Sequence, residues 1–599
     1  MTRLRSFRPV TARSHTPPYK IHRYFARRPW NLFDELIQHY AAPGDIILDP
    51  FCGGGVTPYE AIKNKVQIVA CDVNPLATFV VSNMFHRGDM QSLEVAFKEL
   101  LTYARSITKE SFTATCPSCE SNDQARWYEL AHTVVCDACD SPITLVDEHK
   151  IRNGVYRCPN SQCWNAKKGV TVARVKRSEP VYLSLRGTCG TCKQPYTIAV
   201  DQKLLDRNKR HLARLRKLVK TTGAALPDEL IPLEWDRQRE DLLHEKGFDH
   251  FQDLFTEKNL LVNYLVLAKI KEYEADTDMY ALLRFVFSDS LRDTNIMTFT
   301  SASWQGGAPS SWAKHAYWLP PQFCEVNVAR ALERSFASIK KSITYNNDTG
   351  VQVDFATDYK ELQNGKNLLL KTGTLADLRL PDRSIDVIIT DPPYGSNVQY
   401  LELSHFWHMW NRDMYDQAKL SYPREAVVTR KQNFRGAKSY QIYEDNLYAV
   451  FAECTRVLKP GGAIVMTFNN KDIKAWLALL ISVFRAGFHF EPGGITFQDG
   501  VANYKHTAHT RAARSPYGDF IYEFIKDTGR LYPDARHIDR QQLAEHILSR
   551  IQAAVSKYQD GANRSEILIE LFNDIVPEIE QFVRCFADDR QATAHDLYA

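Results

Sequence analysis

Residues 45–72, DIILDPFCGGGVTPYEAIKNKVQIVACD, decide the fold. DIILD is a short apolar run, too short for a helix, and reads as a buried strand. CGGG follows as a turn, TPYEAIKNK as a helix and VQIVACD as a second buried strand. Two continuously apolar strands joined through a helix make a βαβ unit of a parallel sheet covered on both faces. Upstream, WNLFDELIQHY (30–40) has apolar residues at helical spacing and is stopped by Pro43-Gly44. The chain therefore opens a doubly wound, Rossmann-like α/β domain.

The pattern stops near residue 85. It resumes at SIDVIITD (384–391), a strand entered from the Pro381-Asp382-Arg383 turn. A helix follows in YEDNLYAVFAECTRVLKPGG, ended by Gly461-Gly462. AIVMTF is a strand, KAWLALLISVFRAGF a helix and FIYEFIK an edge strand. Residues 20–85 and 351–527 together make 243 residues, the size of one α/β domain. Residues 86–350 are an insertion of 265 residues, with cysteine pairs at about 112–195 and a helical region after them. Residues 1–28 form a basic arm, and 528–599 a polar, helical C-terminal tail.

The 599 residues are 44% hydrophobic and 24% charged, which excludes a mainly disordered, collagen-like or coiled-coil chain. Lys+Arg (75) nearly balances Asp+Glu (71), so any nucleic-acid footprint must be local. The arm carries Arg3, Arg5, Arg8, Arg13, Lys20, Arg23, Arg27 and Arg28 with no acid. It is either a solvated terminus or a phosphate-contacting segment. LLDRNKRHLARLRKLVK (204–220) is the second basic segment. Arg207, Lys209, Arg210, Arg214 and Lys217 are candidate phosphate contacts around a stripe of Leu204, Leu212, Leu215 and Leu218. The alternative is a solvated helix packed by its leucines. No apolar run reaches the length of a membrane span and no secretory signal is seen, so a cytoplasmic protein is expected.

Eight of the 13 cysteines form four close pairs. Cys116-x-x-Cys119 and Cys136-x-x-Cys139 stand 16 residues apart, within zinc-ribbon spacing. Cys158-x4-Cys163 and Cys189-x-x-Cys192 make a second set with a gap of 25. Interleaved pairing is open at this level. Two structural Zn ions are expected, because paired cysteines in a reducing compartment bind metal more often than they form disulfides.

Two stretches carry chemistry. The first runs from Asp49 to Gly55. Its glycines admit a ligand close to backbone N–H groups, and Asp72 stands 19 residues after Gly53, where an acid holds ribose hydroxyls. The spaced glycines of a dinucleotide site and the Lys of a P-loop are both missing, which argues against NAD and ATP. The second is Asp391-Pro392-Pro393-Tyr394, delivered by a buried strand to the sheet's carboxyl edge. Its prolines fix φ and stiffen the turn. Asp391 and a proline carbonyl can accept both N–H bonds of an exocyclic amine, and Tyr394 can stack on a planar base. A duplex base reaches such a pocket only by flipping out of the stack.

Asp-Pro-Phe-x-Gly-x-Gly, Asp72-Val73-Asn74-Pro75 and Asp-Pro-Pro-Tyr resemble motifs I, II and IV of amino-methylating DNA methyltransferases. DPPYGSNVQYLELSHFWHMW, the cysteine pairs and DLFTEKNLLVNYLVLAKI resemble the adenine-specific DNA methylases that contain a zinc ribbon. The resemblance implies S-adenosyl-L-methionine as cofactor and DNA as substrate, and makes the helical region of the insertion the target-recognition region. By it, Asp49, Phe51, Gly53 and Gly55 surround the methionine part, Asp72 takes the ribose and Asp377 the adenine. Tyr24, with His22 and Arg27, lies where the family's motif X holds the methionine carboxylate. Asp391, Pro392, Pro393 and Tyr394 become the catalytic residues, and the first-position Asp favours adenine-N6. Cytosine-N4 in DNA, guanine-N2 in RNA and a non-catalytic zinc-dependent nucleic-acid-binding subunit are the alternatives. Restriction-modification or phage-defence partners follow only from the resemblance. Gly54-Gly55-Val56-Thr57 departs from the family's usual Ser-Gly-Thr. Asn397, Gln399 and Tyr400 are candidate pocket residues, Glu402 a solvated helix acid, and His405 and His408 packing or surface residues instead of catalytic ones.

Overall fold

The two strands of the opening segment lie side by side near the middle of an eight-stranded sheet. The computed structural model describes residues 3–87, 90–223, 226–300, 308–415, 420–431, 434, 436–470, 472–499, 518–527, 540–559 and 564–585. In chain order the strands are β1 (Ile46–Asp49), β2 (Gln67–Asp72), β3 (Phe355–Ala356), β4 (Leu368–Thr372), β5 (Val387–Thr390), β6 (Ala463–Phe468), β7 (Phe488–Asp499) and β8 (Gly518–Lys526). Their order across the sheet is β3-β4-β2-β1-β5-β6-β8-β7. All neighbours run parallel except β8, which is antiparallel to β6 and β7. The α/β expectation holds.

Burial on both faces explains why β1 reads as apolar throughout. Ile47 packs in one core with Ile68, Val387 and the helix Trp30–Tyr40. Leu48 packs in the other with Val69, Ile388, Ile464 and the helices Tyr440–Val457 and Ile473–Arg485. The chain leaves β1 for β2 on one side and reaches β5 on the other, so the order reverses at β1/β5. A crevice at the carboxyl ends is the geometric result. Pairing of Leu48 with Ile388 makes Asp49 and Asp391 emerge next to each other.

Residues 86–350 leave the sheet as expected, but they do not form a detached unit. Phe97, Tyr128, Leu260 and Phe285 of the insertion belong to the same apolar core as Ile47 and Ile68. Its own sheet contains Trp127–Val135, Ser178–Thr188, Pro195–Ala199 and Gln322–Val326. Helices Met90–Phe112, Gln202–Thr221, Glu257–Ile270 and Val328–Thr349 surround it. Ser288 of the insertion meets His22 and Asn411 on either side of the α/β domain.

The basic arm is neither solvated throughout nor a free phosphate grip. Leu4, Phe7, Tyr19, Ile21 and Phe25 alternate with its charges and are buried. Arg3, Arg5, Arg8, Arg13 and Lys20 stay outside, while Arg27 and Arg28 turn inward. The backbone N–H groups of Arg3 and Leu4 donate to Glu523 of β8 at 3.0 and 2.6 Å, and the Tyr40 hydroxyl donates to it at 2.7 Å. The C-terminal region is helical where described, in Arg540–Gln559 and Arg564–Cys585; the rest of 528–599 lies outside the described residues. Val576, Ile579 and Val583 close the second core, and Phe572 stacks on Trp476 at 4.7 Å.

Glu523 thus carries three donors in a buried site. Hydrogen bonds to a charged group contribute about 1.5–3 kcal/mol each. Glu523→Ala is expected to destabilise the protein by at least about 2 kcal/mol. Denaturant unfolding would show this as a lower midpoint with an unchanged slope.

Candidate active site

The crevice predicted by the strand order is a cleft of about 880 Å³, its open mouth included. Asp49, Phe51, Gly53 and Asp72 line one wall, Tyr24 and Arg27 a second, and Asp391, Pro393, Tyr400 and Glu425 the far side. The structure therefore brings together the two chemical stretches that lie over 300 residues apart in sequence.

Asp49 ends β1 in a buried position. It accepts from the Thr390 hydroxyl at 2.6 Å and the Phe51 N–H at 3.2 Å. Burial pushes its carboxyl up to about 6, against these hydrogen bonds and with Asp391 adding repulsion. Asp72 ends β2. One oxygen accepts from the Gly53 N–H at 2.9 Å and the other from the Asn74 N–H at 2.8 Å. Burial outweighs both and raises it to about 7. Each oxygen keeps a lone pair for a further donor.

The three glycines differ in what they do. Gly53 has φ +44° and a Cβ there would sit 3.2 Å from Tyr24; a Cβ on Gly54 would strike the Arg27 side chain at 2.5 Å. Gly55 faces away from the cleft. It caps the helix Val56–Lys63 with φ +82°, and a Cβ would meet Met84 Sδ at 2.6 Å. It packs closely against the helix Pro75–Met84 and is not among the residues that line the cleft, where the resemblance implies a methionine contact.

Tyr24 lies in the cleft wall as expected, stacked near Tyr400 at 6.2 Å. Arg27 also faces the cleft. Its guanidinium donates to the carbonyls of Gly54 (3.1 Å), Tyr19 (2.5 Å) and His22 (2.9 Å), while its buried Nη2 has no partner among the described residues. Burial lowers its pKa to about 10. His22 is elsewhere: its ring bridges the Arg23 carbonyl and Ser288 inside the core. Asp377 is not in the cleft lining. It is half-exposed and ion-paired with Arg424, and the lining residues here are Thr374 and Arg424 instead.

At the catalytic end, Asp391 Oδ1 accepts from Tyr394 and Thr467 hydroxyls, both at 2.5 Å. Oδ2 accepts from Arg28 Nε at 2.9 Å. The Pro393 carbonyl is taken by the Tyr443 hydroxyl at 2.6 Å and the Tyr394 carbonyl by Asn470 at 3.0 Å. Among the described residues no donor reaches the carbonyl of Pro392. Tyr394 is not a bare stacking platform, because the Arg28 guanidinium lies 4.4 Å from its ring centre. Arg28 also holds Asp519 at 2.9 and 3.0 Å. Sequence reading placed Arg28 in the arm, without a role at Asp391, and missed Asp519, Thr467, Thr374 and Glu425. Glu425 accepts from the Leu401 N–H (2.8 Å) and Lys438 (3.1 Å) at the cleft edge.

Of the flanking candidates, Tyr400 lines the cleft, whereas Gln399 turns to the Val428 carbonyl at 2.8 Å and the Asn397 carbonyl accepts from Arg430. Glu402 is not a solvated helix acid. It accepts from the N–H groups of Asp236 and Arg237 at 3.3 and 2.9 Å, and burial raises it to about 8. His405 and His408 are both buried, and His405 also bonds Glu229 at 2.7 Å.

The cysteines pair in a nested order, not consecutively. Cys116, Cys119, Cys189 and Cys192 form one cluster; Cys136, Cys139, Cys158 and Cys163 form the other. The cause is the antiparallel pairing of Trp127–Val135 with Ser178–Thr188, which puts the first and last pairs at one end and the middle pairs at the other. Sulfur separations of 3.7 and 3.6 Å in the outer cluster, and 3.8 and 3.5 Å in the inner one, exclude disulfides. They fit four thiolates around one ion with metal–sulfur bonds of about 2.3 Å. Three pairs share one turn, in which the N–H after the second Cys donates to the carbonyl of the first. Glu120, Asp140 and Lys193 take positive φ there.

On the helix Gln202–Thr221 the buried stripe is Asn208, His211, Leu215 and Val219, so only one of the four predicted leucines is fully inside. Arg207 turns inward to the Ser111 carbonyl at 3.1 Å. Arg214 lies 3.6 Å from Glu110. Lys209, Arg210 and Lys217 are exposed.

Residues 6–78 and 385–575 match the N6/N4 methyltransferase family, described as DNA methylase. The match is less than half of the chain, and it covers the glycine loop, Asp72 and Asp-Pro-Pro-Tyr while leaving the insertion out. The family resemblance in the sequence is borne out over these segments. No curated protein matches. A solved structure from Thermus thermophilus, provisionally described as a DNA modification methylase, is 16% identical and aligns with 30% of this chain and 61% of its own, with a TM-score of 0.16. The chain thus spans under two thirds of that protein.

Metal analysis of the full chain is expected to find two ions, one for each cluster. Cys119→Ser with Cys189→Ser should lose one ion, since both residues serve the outer cluster. Cys119→Ser with Cys139→Ser should lose both, and consecutive pairing predicts the reverse.

Proposed function

We propose that the protein is an S-adenosylmethionine-dependent DNA methyltransferase that methylates the exocyclic N6 of a flipped adenine. The observation that carries this reading is the shared cleft. The glycine loop and Asp391 open onto one space from neighbouring strand ends. Two reacting groups bound there would meet without further search, which is a large part of the barrier to a direct transfer.

The residues fit the cofactor. The unpartnered Nη2 of Arg27 suits its carboxylate, the lone pairs of Asp72 suit ribose hydroxyls, and Thr374 and Glu425 stand where the adenine would lie. When bound, the cofactor supplies an electrophilic methyl group. Asp391 and the Pro392 carbonyl accept the two N–H bonds of the target amine and turn its lone pair toward the cleft. Tyr394 stacks on the base. The amine needs no strong base before attack, because the nitrogen loses its proton during or after transfer.

The soft, four-thiolate donor sets suit Zn²⁺ in a closed structural role. Between the two matched segments, the insertion is positioned to read DNA, with Lys209, Arg210, Arg214 and Lys217 as phosphate contacts. Among the described residues no helix is long and apolar enough to cross a membrane.

Methylation of random-sequence DNA followed by modified-base mapping tests the base and atom together. N6-methyladenine is expected; N4-methylcytosine, or label entering only RNA, would replace the substrate assignment. Asp391→Ala should lower kcat by about 10²–10³-fold, the scale of losing one preorganised transition-state contact, while S-adenosylmethionine binding persists. Cofactor affinity should fall as pH drops through about 7, because Asp72 then protonates and loses acceptor capacity. Asp72→Asn should flatten that dependence in equilibrium binding.

A further inference from the structure

Arg28 occupies the position that the target base requires. Its guanidinium is planar, carries N–H donors, and lies 4.4 Å from the Tyr394 ring centre. One of those donors bonds Asp391 Oδ2 at 2.9 Å. A planar base whose exocyclic amine donates to Asp391 and whose ring stacks on Tyr394 would make the same two contacts. Oδ1 is already filled by Tyr394 and Thr467, so the amine must use Oδ2. A base stacked at van der Waals distance on that face of Tyr394 cannot coexist with the guanidinium. Phe468 crowds the ring as well, edge to face at 4.9 Å.

The rest of the Arg28 fork is anchored away from this contact. Nη1 holds both oxygens of Asp519 at 2.9 and 3.0 Å. Releasing Asp391 while keeping Asp519 breaks one charge-assisted hydrogen bond out of three. It leaves no buried guanidinium unpaired, which would otherwise be costly. We propose that Arg28 is a placeholder that closes the base seat of the free protein and swings off Asp391 and Tyr394 to admit the base, with Asp519 as its tether. This rests on the methyltransferase reading above.

Two consequences follow from the chemistry. In the free protein Arg28 keeps Asp391 paired and Tyr394 covered, so the seat is held in its working geometry without a base. Base affinity is correspondingly reduced by the fraction of time the seat is open. Arg28 also follows Arg27, whose side chain touches Gly54 in the cofactor loop. The two adjacent arginines thus face the glycine loop and the Asp391 end of the one cleft.

The test uses the full chain with Arg28→Ala and Arg28→Lys. Calorimetric binding of adenosine, with the cofactor seat first saturated with S-adenosylhomocysteine, needs no turnover and reads the base seat. Arg28→Ala should bind adenosine at least about tenfold more tightly than wild type, as expected if the closed state dominates. Methylguanidinium at millimolar concentration should bind Arg28→Ala, compete with adenosine there, and leave wild type unaffected. Arg28→Lys keeps charge but cannot stack as a plane, and should bind adenosine with intermediate affinity. Unchanged or weaker adenosine binding in Arg28→Ala, with the metal content and melting temperature of wild type and no methylguanidinium competition, would overturn the proposal. If Arg28→Ala fails to fold, wild-type adenosine affinity no weaker than that of Arg28→Lys overturns it. Failure of the methyltransferase reading looks different: wild type then transfers no tritiated methyl to DNA whatever the adenosine data show.

Discussion

Everything at the site depends on the register between β1 and β5. Leu48 opposite Ile388 places the ends of both strands level, and the Thr390 hydroxyl bonds Asp49 across the gap. A slip of one residue would send alternate side chains to the wrong core and pull the two acidic ends apart. The register is held by apolar side chains on both faces, Ile47 and Val387 to one side and Leu48 and Ile388 to the other. The site's precision is therefore a property of core packing, and its loops inherit that precision.

Sequence alone carried the frame of the site well. Short, fully apolar strands, a glycine turn and a strand ending in Asp-Pro-Pro-Tyr are local signals, because each residue's role is set by its immediate neighbours. Asp49, Gly53, Asp72 and Asp391 could be located this way. Gly55 could not be separated from Gly53, since which glycine faces a ligand depends on the helix Pro75–Met84 packing behind the turn. Asp377 lies on the expected loop but pairs with Arg424, 47 residues away, instead of lining the cleft itself. The pairing of cysteines was hidden for a similar reason. Spacing shows that a pair can grip an ion, whereas the partner pair is chosen by strand direction.

Charge was the least legible quantity. A basic arm without acids reads as a surface feature, yet the acids that pair Arg28 lie far along the chain in Asp391 and Asp519, and Glu523 takes the arm's backbone N–H groups. Apolar residues between its charges were the available clue, since Leu4, Phe7, Tyr19, Ile21 and Phe25 need a core to enter. Glu402 shows the same effect in reverse. A lone acid on a helix looks solvated until a second segment, here Asp236–Asp241, brings backbone N–H groups to it.

The nested clusters imply an order of assembly. Cys136 and Cys163 are 27 residues apart, whereas Cys116 and Cys192 are 76 apart. Chain entropy makes the longer closure costlier by about 0.9 kcal/mol. The difference grows in consequence once the short loop is shut, because Trp127–Val135 and Ser178–Thr188 then start from one fixed end and can zip toward the other. The inner cluster is thus the cheaper of the two to close, and the strand ladder between them carries that constraint to the outer one.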